Sequence, residues 1–345
     1  MRWVVHVALC SLVLVSLPLA AANFCVSNTA ELQAAIEAAA SNADNNDNIR
    51  LRPGIYPSPA NGFGREVFAP DDNIAISGGW RPLIGPCDLP GYDATTSVID
   101  GEGQRAGLVI HRSGSGSGET NLSWLTIRGG RQMMSTQFYG NGGGLAIFGS
   151  GPAAIEHVIF QNNQANLKGG AVYVKGAQRV LRNNLFIDNQ ASSGSAVFAP
   201  GPGGAVLFSN NTVTRNPYPV PSGGFAFVVD FDISASSFVW NNIFHDNSDH
   251  PWACDLSGDG HLLVDNIVEH PCGIYAAGSS NNVNVDPKFV HPVNNPRLRP
   301  DSPAIDAGGN GGVSSRDLDG RPRQIGPAVD QGAYEADFMF ANGFE

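Results

Sequence analysis

The chain has 345 residues, 42 of them glycine, with 15% charged residues and a formal net charge of −11. That balance fits a turn-rich β protein rather than a helical one, and it makes nucleic acid a poor partner, because phosphate backbones call for a basic surface. Anionic polysaccharide stays open, since a local basic groove can oppose the net charge.

The chain begins with Arg2, an apolar run over residues 3–17, Pro18, and the small residues Ala20, Ala21 and Ala22. This pattern predicts a secretory signal over residues 1–22, with Asn23 as the new N-terminus. The run is shorter than the ~20 residues a bilayer span needs. No later stretch approaches that length, so no transmembrane segment is expected. Losing the leader's single arginine takes the mature charge to −12.

Four cysteines remain: Cys25, Cys87, Cys254 and Cys272. An even number in an exported chain suggests disulfides. Three pairings are open. Cys25–Cys87 with Cys254–Cys272 is favoured as the most local. The lack of C-x-x-C spacing argues against structural zinc.

Residues 29–40 read as a helix. Asn28 or Thr29 can cap it, Glu31 suits its first turn, and Leu32, Ala35, Ile36 and Ala39 form its apolar face. Within a cap over residues 23–47, it is the expected plug for the N-terminal end of a solenoid.

From residue 48 onward the chain repeats itself. IEHVIFQNN from Ile155 returns as LRNNLFIDN from Leu181, FSNNTVTRN from Phe208, VWNNIFHDN from Val239 and LVDNIVEHP from Leu263. The centres Val158, Asn184, Asn211, Asn242 and Asn266 are 26, 27, 31 and 24 residues apart. Apolar columns flank them: Ile155, Leu181, Phe208, Val239 and Leu263 before, Phe160, Phe186, Val213, Phe244 and Val268 after. His157, Asn183, Asn210, Asn241 and Asp265 add a polar column at a bend. Stacked asparagine amides can bond from coil to coil at a ~4.8 Å repeat and tolerate tight-turn angles. A second phrase, GGLAIFG from Gly143, GGAVYVK from Gly169, GSAVFAP from Gly194 and GGFAFVV from Gly223, marks a corner followed by a short strand. The reading is an all-β, single-stranded right-handed parallel β-helix over residues 48–284, the hand following from the strong bias of parallel crossovers. Weaker coils begin at Ile49, Ile74, Ser97 and Leu122, and another at Asn281. Residues 113–119, SGSGSGE, read as a flexible loop.

These features resemble known families. The solenoid resembles the pectin-lyase-like superfamily of right-handed parallel β-helices. The phrases FQNN at Phe160, FIDN at Phe186, FHDN at Phe244 and GGAV at Gly169 resemble repeats of bacterial polymorphic outer-membrane proteins. VDPKFV, LRPDSPAIDAG and RDLDGRPRQIGPAVDQGAYE, between Val285 and Glu335, resemble the choice-of-anchor Q module of bacterial surface β-helix proteins. The tail at 336–345 resembles a short tail recurrent on exported bacterial proteins. The resemblance implies a secreted or cell-surface protein, and the scaffold hosts lyases, hydrolases, epimerases, adhesins and inert spacers alike.

Lyases of this scaffold imply an outer groove with acids that hold Ca²⁺ and a Lys or Arg that removes a proton alpha to a carboxylate. The best matching cluster is Asp188, Arg215, His245, Asp246, Glu269 and His270. It lies where a turn opens, and solvated turn charges account for it more simply. Asp230 and Asp232 are candidate metal ligands, for Ca²⁺ if any, yet two carboxylates fall short of its ~6–8 oxygens. Asp317 and Asp319 fit a tight turn closed by Gly320. Aligned on the glycine corner, Ile147, Tyr173, Phe198 and Phe227 form one column beside Ala146, Val172, Val197 and Ala226. Lys175 shares the parity of Tyr173, so the aromatic column is expected to face outward as a sugar-binding stripe. An internal aromatic stack, or a stripe covered by the C-terminal module, competes with that reading. The leading expectation is a monomeric exported protein that binds or adheres to extracellular or cell-surface polysaccharide. A polysaccharide lyase and a purely structural surface protein are the alternatives.

Overall fold

The structure is a computed structural model that describes residues 22–42, 45–64, 67–133, 140–201, 204–217, 226–231, 237–247, 253–256, 260–270 and 277–337, without the side chains of 226 and 253–256. Residues 1–21, Asp232, Cys272 and residues 338–345 lie outside these residues.

Each coil contributes strands to three faces, and every pairing between coils is parallel. The first face runs through strands Ala22–Val26, Asn46–Leu51, Asn73–Ser77, Thr120–Arg128, Ala153–Gln161, Arg179–Arg182, Val206–Ser209, Phe238–Trp240 and Leu262–Val264. The second follows a bend. It runs through Gly54–Pro57, Ser97–Asp100, the ends of the two nine-residue strands, then Leu185–Ile187, Thr212–Thr214, Ile243–His245 and Ile267–Val268. The third is a separate seven-stranded sheet from Val67–Phe68 through Leu108–Arg112, Leu145–Phe148, Val172–Val174, Val197–Phe198 and Ala226–Asp230 to Ala253–Leu256. This is the expected parallel β-helix.

The core columns are those the repeat predicted. Ile155, Leu181, Phe208, Val239 and Leu263 lie opposite one another in register and are no more than 1% exposed. Phe160 and Phe186 stack at 5.2 Å, and Phe208 and Phe244 stack at 5.9 Å. Identical positions stacked coil upon coil make one continuous interior rather than a set of separate small ones.

The bends show why asparagine recurs. At the first bend His157, Asn183, Asn210, Asn241 and Asp265 all have φ between +53° and +57°. Asparagine and aspartate adopt that left-handed conformation more readily than bulkier residues do. The next residue turns inward. Asn184 Nδ2 donates to Asn211 Oδ1 (3.0 Å), Asn211 to Asn242 (3.1 Å), Asn242 to Asn266 (2.9 Å) and Asn266 to Asn282 (2.8 Å). The two asparagines of each pair therefore do different work: one supplies the turn, the other the ladder.

A second ladder runs at the second bend. Asn163, Asn189, Asn216 and Asn247 donate in sequence at 3.0, 2.9 and 3.1 Å. The residues before them, Asn162, Asp188, Arg215 and Asp246, again have positive φ, between +54° and +57°. The repeated F-x-x-N phrase carried this signal, because its last asparagine falls on the second ladder.

Helix Thr29–Ser41 begins where expected. Asn28 Oδ1 accepts from the Glu31 amide at 3.0 Å, and Glu31 Oε2 accepts from the Ser27 amide at 2.7 Å. These reciprocal bonds satisfy amides left open at a helix start. Leu32, Ala35, Ile36 and Ala39 are buried in the same cluster as Val26, Ile49, Leu51 and Tyr56. Cys25 and Cys87 form a disulfide. Cys254–Cys272 lies outside the described residues. The glycine–serine loop at 113–119 is pinned rather than free. Gly116 N donates to Ser150 Oγ (2.8 Å), Ser117 N to Asp71 Oδ1 (2.9 Å), and Arg112 Nη2 to the Glu119 carbonyl (2.7 Å).

After the last coil, strands Phe289–His291 and Asn295–Leu298 pair as an antiparallel hairpin. The chain then returns along the second face. Phe289, Leu298 and Ala304 cover Ile243 and Ile267, while Leu318, Ala333 and Tyr334 cover Leu185 and Ile187. At its far end Arg316 sits 4.1 Å above the Tyr92 ring.

Candidate functional site

The C-terminal segment occupies the second face, which leaves the second bend and the third face as outer surfaces carrying the candidate residues. At the second bend Arg215 Nη2 donates to Asp188 Oδ1 at 2.5 Å, and both side chains are about a quarter exposed. The Asp246 amide donates to Glu269 Oε2 at 2.7 Å. His245 lies between two carboxylates, 3.6 Å from Glu269 and 3.9 Å from Asp286, and packs edge-on to Phe289. His270 is half-buried. Five of the six residues thus form two clusters on one edge, Asp188–Arg215 and His245–Asp246–Glu269, with His270 next to Glu269 in the chain. Asp286, not singled out in the sequence, completes the second. A proton-abstracting Arg must be free to meet substrate, whereas this Arg215 is already bound to a carboxylate.

No group of three or more His, Cys, Asp or Glu converges on a metal-sized site among the described residues. Asp230 Oδ2 accepts from Ser193 Oγ at 2.6 Å, and Asp232 falls outside the described residues. Asp317 Oδ1 accepts from the amides of Asp319 and Arg321, a tight turn with Gly320 at φ +78°.

On the third face the expected column needs correction. Ala146, not Ile147, lies opposite Tyr173. Ile147 lies opposite Val174 and turns into the core. The cause is a one-residue slip among Gly142, Gly143 and Gly144, any two of which can be read as the corner. A one-residue slip sends each side chain to the opposite face. Phe227 also leaves the column: Phe198 lies opposite Asp230, and Phe227 opposite Cys254. The strand begins three residues after Gly223, as the phrase suggests, but Val197 lies opposite Val229 rather than Ala226, so its pairing with the preceding coil is shifted by three residues.

What forms instead is a ladder running from His111 through Phe148 and Tyr173 to Phe198. Ring centroids are 6.2, 5.1 and 5.8 Å apart along it. Phe148 and Tyr173 cover the buried Val109 and Ala146. Lys168 Nζ sits 3.9 Å above the Phe198 ring, which is 2% exposed. Lys175 is exposed and Tyr173 half-exposed. Tyr173 and Phe198 lie within 14° of parallel, so the rings stack on one another; Phe198 is buried, and the ring edges that reach solvent are those of Phe148 and Tyr173. The surface offered is therefore ring edges flanked by ammonium groups, not an open aromatic plate. The chain has three lysines, Lys168, Lys175 and Lys288, and two of them flank this ladder.

His157 serves contact with the C-terminal segment. It stacks on Trp124 with centroids 4.0 Å apart, and its Nε2 lies 3.0 Å from the Arg316 carbonyl oxygen. Burial pushes its pKa down to about 4, with Arg182, Arg323 and Arg316 pressing the same way against that hydrogen bond. Its ring is therefore neutral at pH 7.

No helix among the described residues is long and apolar enough to cross a membrane. Neither the curated proteins nor the solved structures contain a match to this chain. A family described as right handed beta helix region matches residues 106–290, more than half of the chain. With that match and three faces of parallel strands stacked coil on coil, the chain belongs to the right-handed β-helix family.

Proposed function

We propose that this protein is exported and binds extracellular or cell-surface polysaccharide along its third face. The observation that carries the reading is the ladder Phe148–Tyr173–Phe198 with Lys168 and Lys175 beside it, in a chain with few lysines. Ring edges supply apolar contact to sugar C–H groups, while the ammonium groups and the Tyr173 hydroxyl supply polar contacts. The leader-like residues 1–22 support export. The likeness of residues 285–335 to the choice-of-anchor Q module supports a place at the bacterial cell surface. Affinity electrophoresis in gels containing pectate, alginate or a glycosaminoglycan tests the binding. Retardation by at least one polymer, weakened by Tyr173→Ala and by Lys175→Ala, is expected. Retardation unchanged in both variants would remove the third face as the binding surface.

A second reading, a polysaccharide lyase on the pectin-lyase-like scaffold, is favoured by His245 standing between Glu269 and Asp286. An imidazole set between carboxylates has the makings of a proton-transfer group. Release of unsaturated sugars from any of the same polymers, abolished by His245→Ala, would establish this reading over simple binding.

A further inference from the structure

The C-terminal segment buries more charge than it balances. Asp317, Asp330 and Glu335 are no more than 2% exposed, and so is Arg323, the one guanidinium buried among them. Arg323 Nη1 lies 3.8 Å from Glu335 Oε2, while its Nη2 donates to the carbonyls of Asp330 and Gly332. The carboxylates accept backbone amides: Asp317 from Glu335, Asp330 from Asp306 and Ala336, and Glu335 from Ile325 and Asp330. If all four groups were ionised, the cluster would hold two uncompensated negative charges in a buried space, which is strongly unfavourable. Among the surrounding groups, Arg297 is committed to Asp319, Arg321 reaches Asp319 and the Glu335 carbonyl, and Asp306 adds a further acid beside Asp330. From the coils, Leu185 and Ile187 pack against this part of the segment and bring no charge. The charged or titratable groups that meet the segment from the first bend are His157, Arg182, which donates to the Gly312 carbonyl, and Asp265, whose carbonyl accepts from Gln331 Nε2.

We propose that the C-terminal segment is a proton-coupled clasp, whose closure on the coils traps a proton within the Asp317–Asp330–Glu335 cluster while keeping one off His157. Burial is the leading cause on both sides. It pushes Glu335 up to about 7 and raises Asp317 and Asp330, while it holds His157 down at about 4. The two effects oppose each other. The carboxyl contribution to closure is complete below the ordinary carboxylate range and is lost as pH rises through about 7. The His157 contribution is complete above the ordinary histidine value and is lost as pH falls toward about 4. Between them, closure in the native chain stays nearly level across mildly acidic and neutral pH. Removal of either group turns the clasp into a pH switch, and the two removals act in opposite directions.

Amide hydrogen exchange over residues 299–337 of the full chain, corrected for intrinsic rates and referenced to the coil peptide around Leu181, reads this directly. His157→Asn keeps a residue type the bend already uses at Asn183 and Asn241. It should make protection of the segment rise by about tenfold or more from pH 8 to pH 5.5, one pKa unit being a tenfold change. Glu335→Gln should make it fall over the same interval. The proposal is overturned if His157→Asn leaves the profile of the native chain unchanged, or if segment and coil peptides respond to pH alike. Should Glu335→Gln fail to fold, the His157→Asn profile alone decides.

Discussion

In the coils the largest group of buried polar side chains is asparagine, and those of the two ladders bond to their counterparts one coil away. In the C-terminal segment the buried charged side chains are Asp317, Arg323, Asp330 and Glu335, and none of them repeats. A neutral amide is both donor and acceptor, so a column of amides satisfies itself whatever its length. A carboxylate only accepts, so each buried acid needs its own donors, found here in the backbone of its own turns. The coils are thus a modular interior, and the segment is a single fitted part. Modularity makes a region tolerant of repetition, whereas a fitted part ties stability to the protonation of a few groups.

Four substitutions probe this contrast, taken from the largest expected effect to the smallest. Asn211→Ala removes the acceptor for the Asn184 amide and the donor to the Leu181 carbonyl within the buried ladder. With each stranded group costing roughly 1–3 kcal/mol, a loss of about 4 kcal/mol is expected, seen as a lower urea midpoint for the whole chain. The double change Cys25→Ala and Cys87→Ala opens a loop with a sequence separation of 62. The chain-entropy relation gives about 4 kcal/mol at most for a loop of this size, and native strain and residual unfolded structure reduce it in practice. Urea unfolding with and without reductant checks this. A loss exceeding that of Asn211→Ala would mean that the first coils, not the ladders, limit stability. Arg297→Ala breaks a two-bond contact with Asp319 and uncovers the Tyr334 ring. It should lower hydrogen-exchange protection of the segment by about 2 kcal/mol and leave the coil peptides unchanged. An equal loss in the coils would dissolve the distinction between the two regions. Asn210→Gly should change stability by less than about 0.5 kcal/mol, since its φ of +53° suits glycine and its side-chain amide has no hydrogen-bond partner among the described residues. A large loss there, measured by the same urea titration, would show that the turn column does more than supply a backbone angle.

The sequence reveals the coils because repetition exposes their logic. Ile155 and its four successors could be assigned to the core by comparison with one another, without any structure. The same comparison failed on the third face, where three successive glycines offered two registers and the wrong one sent Ile147 outward. It failed again at Phe227, where the longest coil shifted the strand by three residues against its neighbour. The candidate residues from Asp188 to Glu269 could be placed at a bend from their spacing, but their pairings across coils, such as Arg215 with Asp188, depend on rotamers that spacing does not encode. The segment is the least legible part. Asp317 could be recognised as a turn residue, yet nothing in its neighbours indicated that Asp330 and Glu335 would be buried beside it, because no second copy exists for comparison.

The path of the segment also sets an order in time. Contacts between coils join residues typically 24–31 positions apart, as in the ladder from Asn184 to Asn266. The segment's contacts with the coils join residues much farther apart: 68 from Asn241 to Gly309, 131 from Asn183 to Ser314 and 159 from His157 to Arg316. Short closures form before long ones, because the entropy of loop closure must be met before the contact gives anything back. The segment therefore docks last, onto coils already wound. Until it does, Leu185, Ile187, Ile243 and Ile267 stand open to solvent on a finished sheet. In that interval the protein is most exposed to aggregation, and conditions that shorten it should raise the yield of refolded chain.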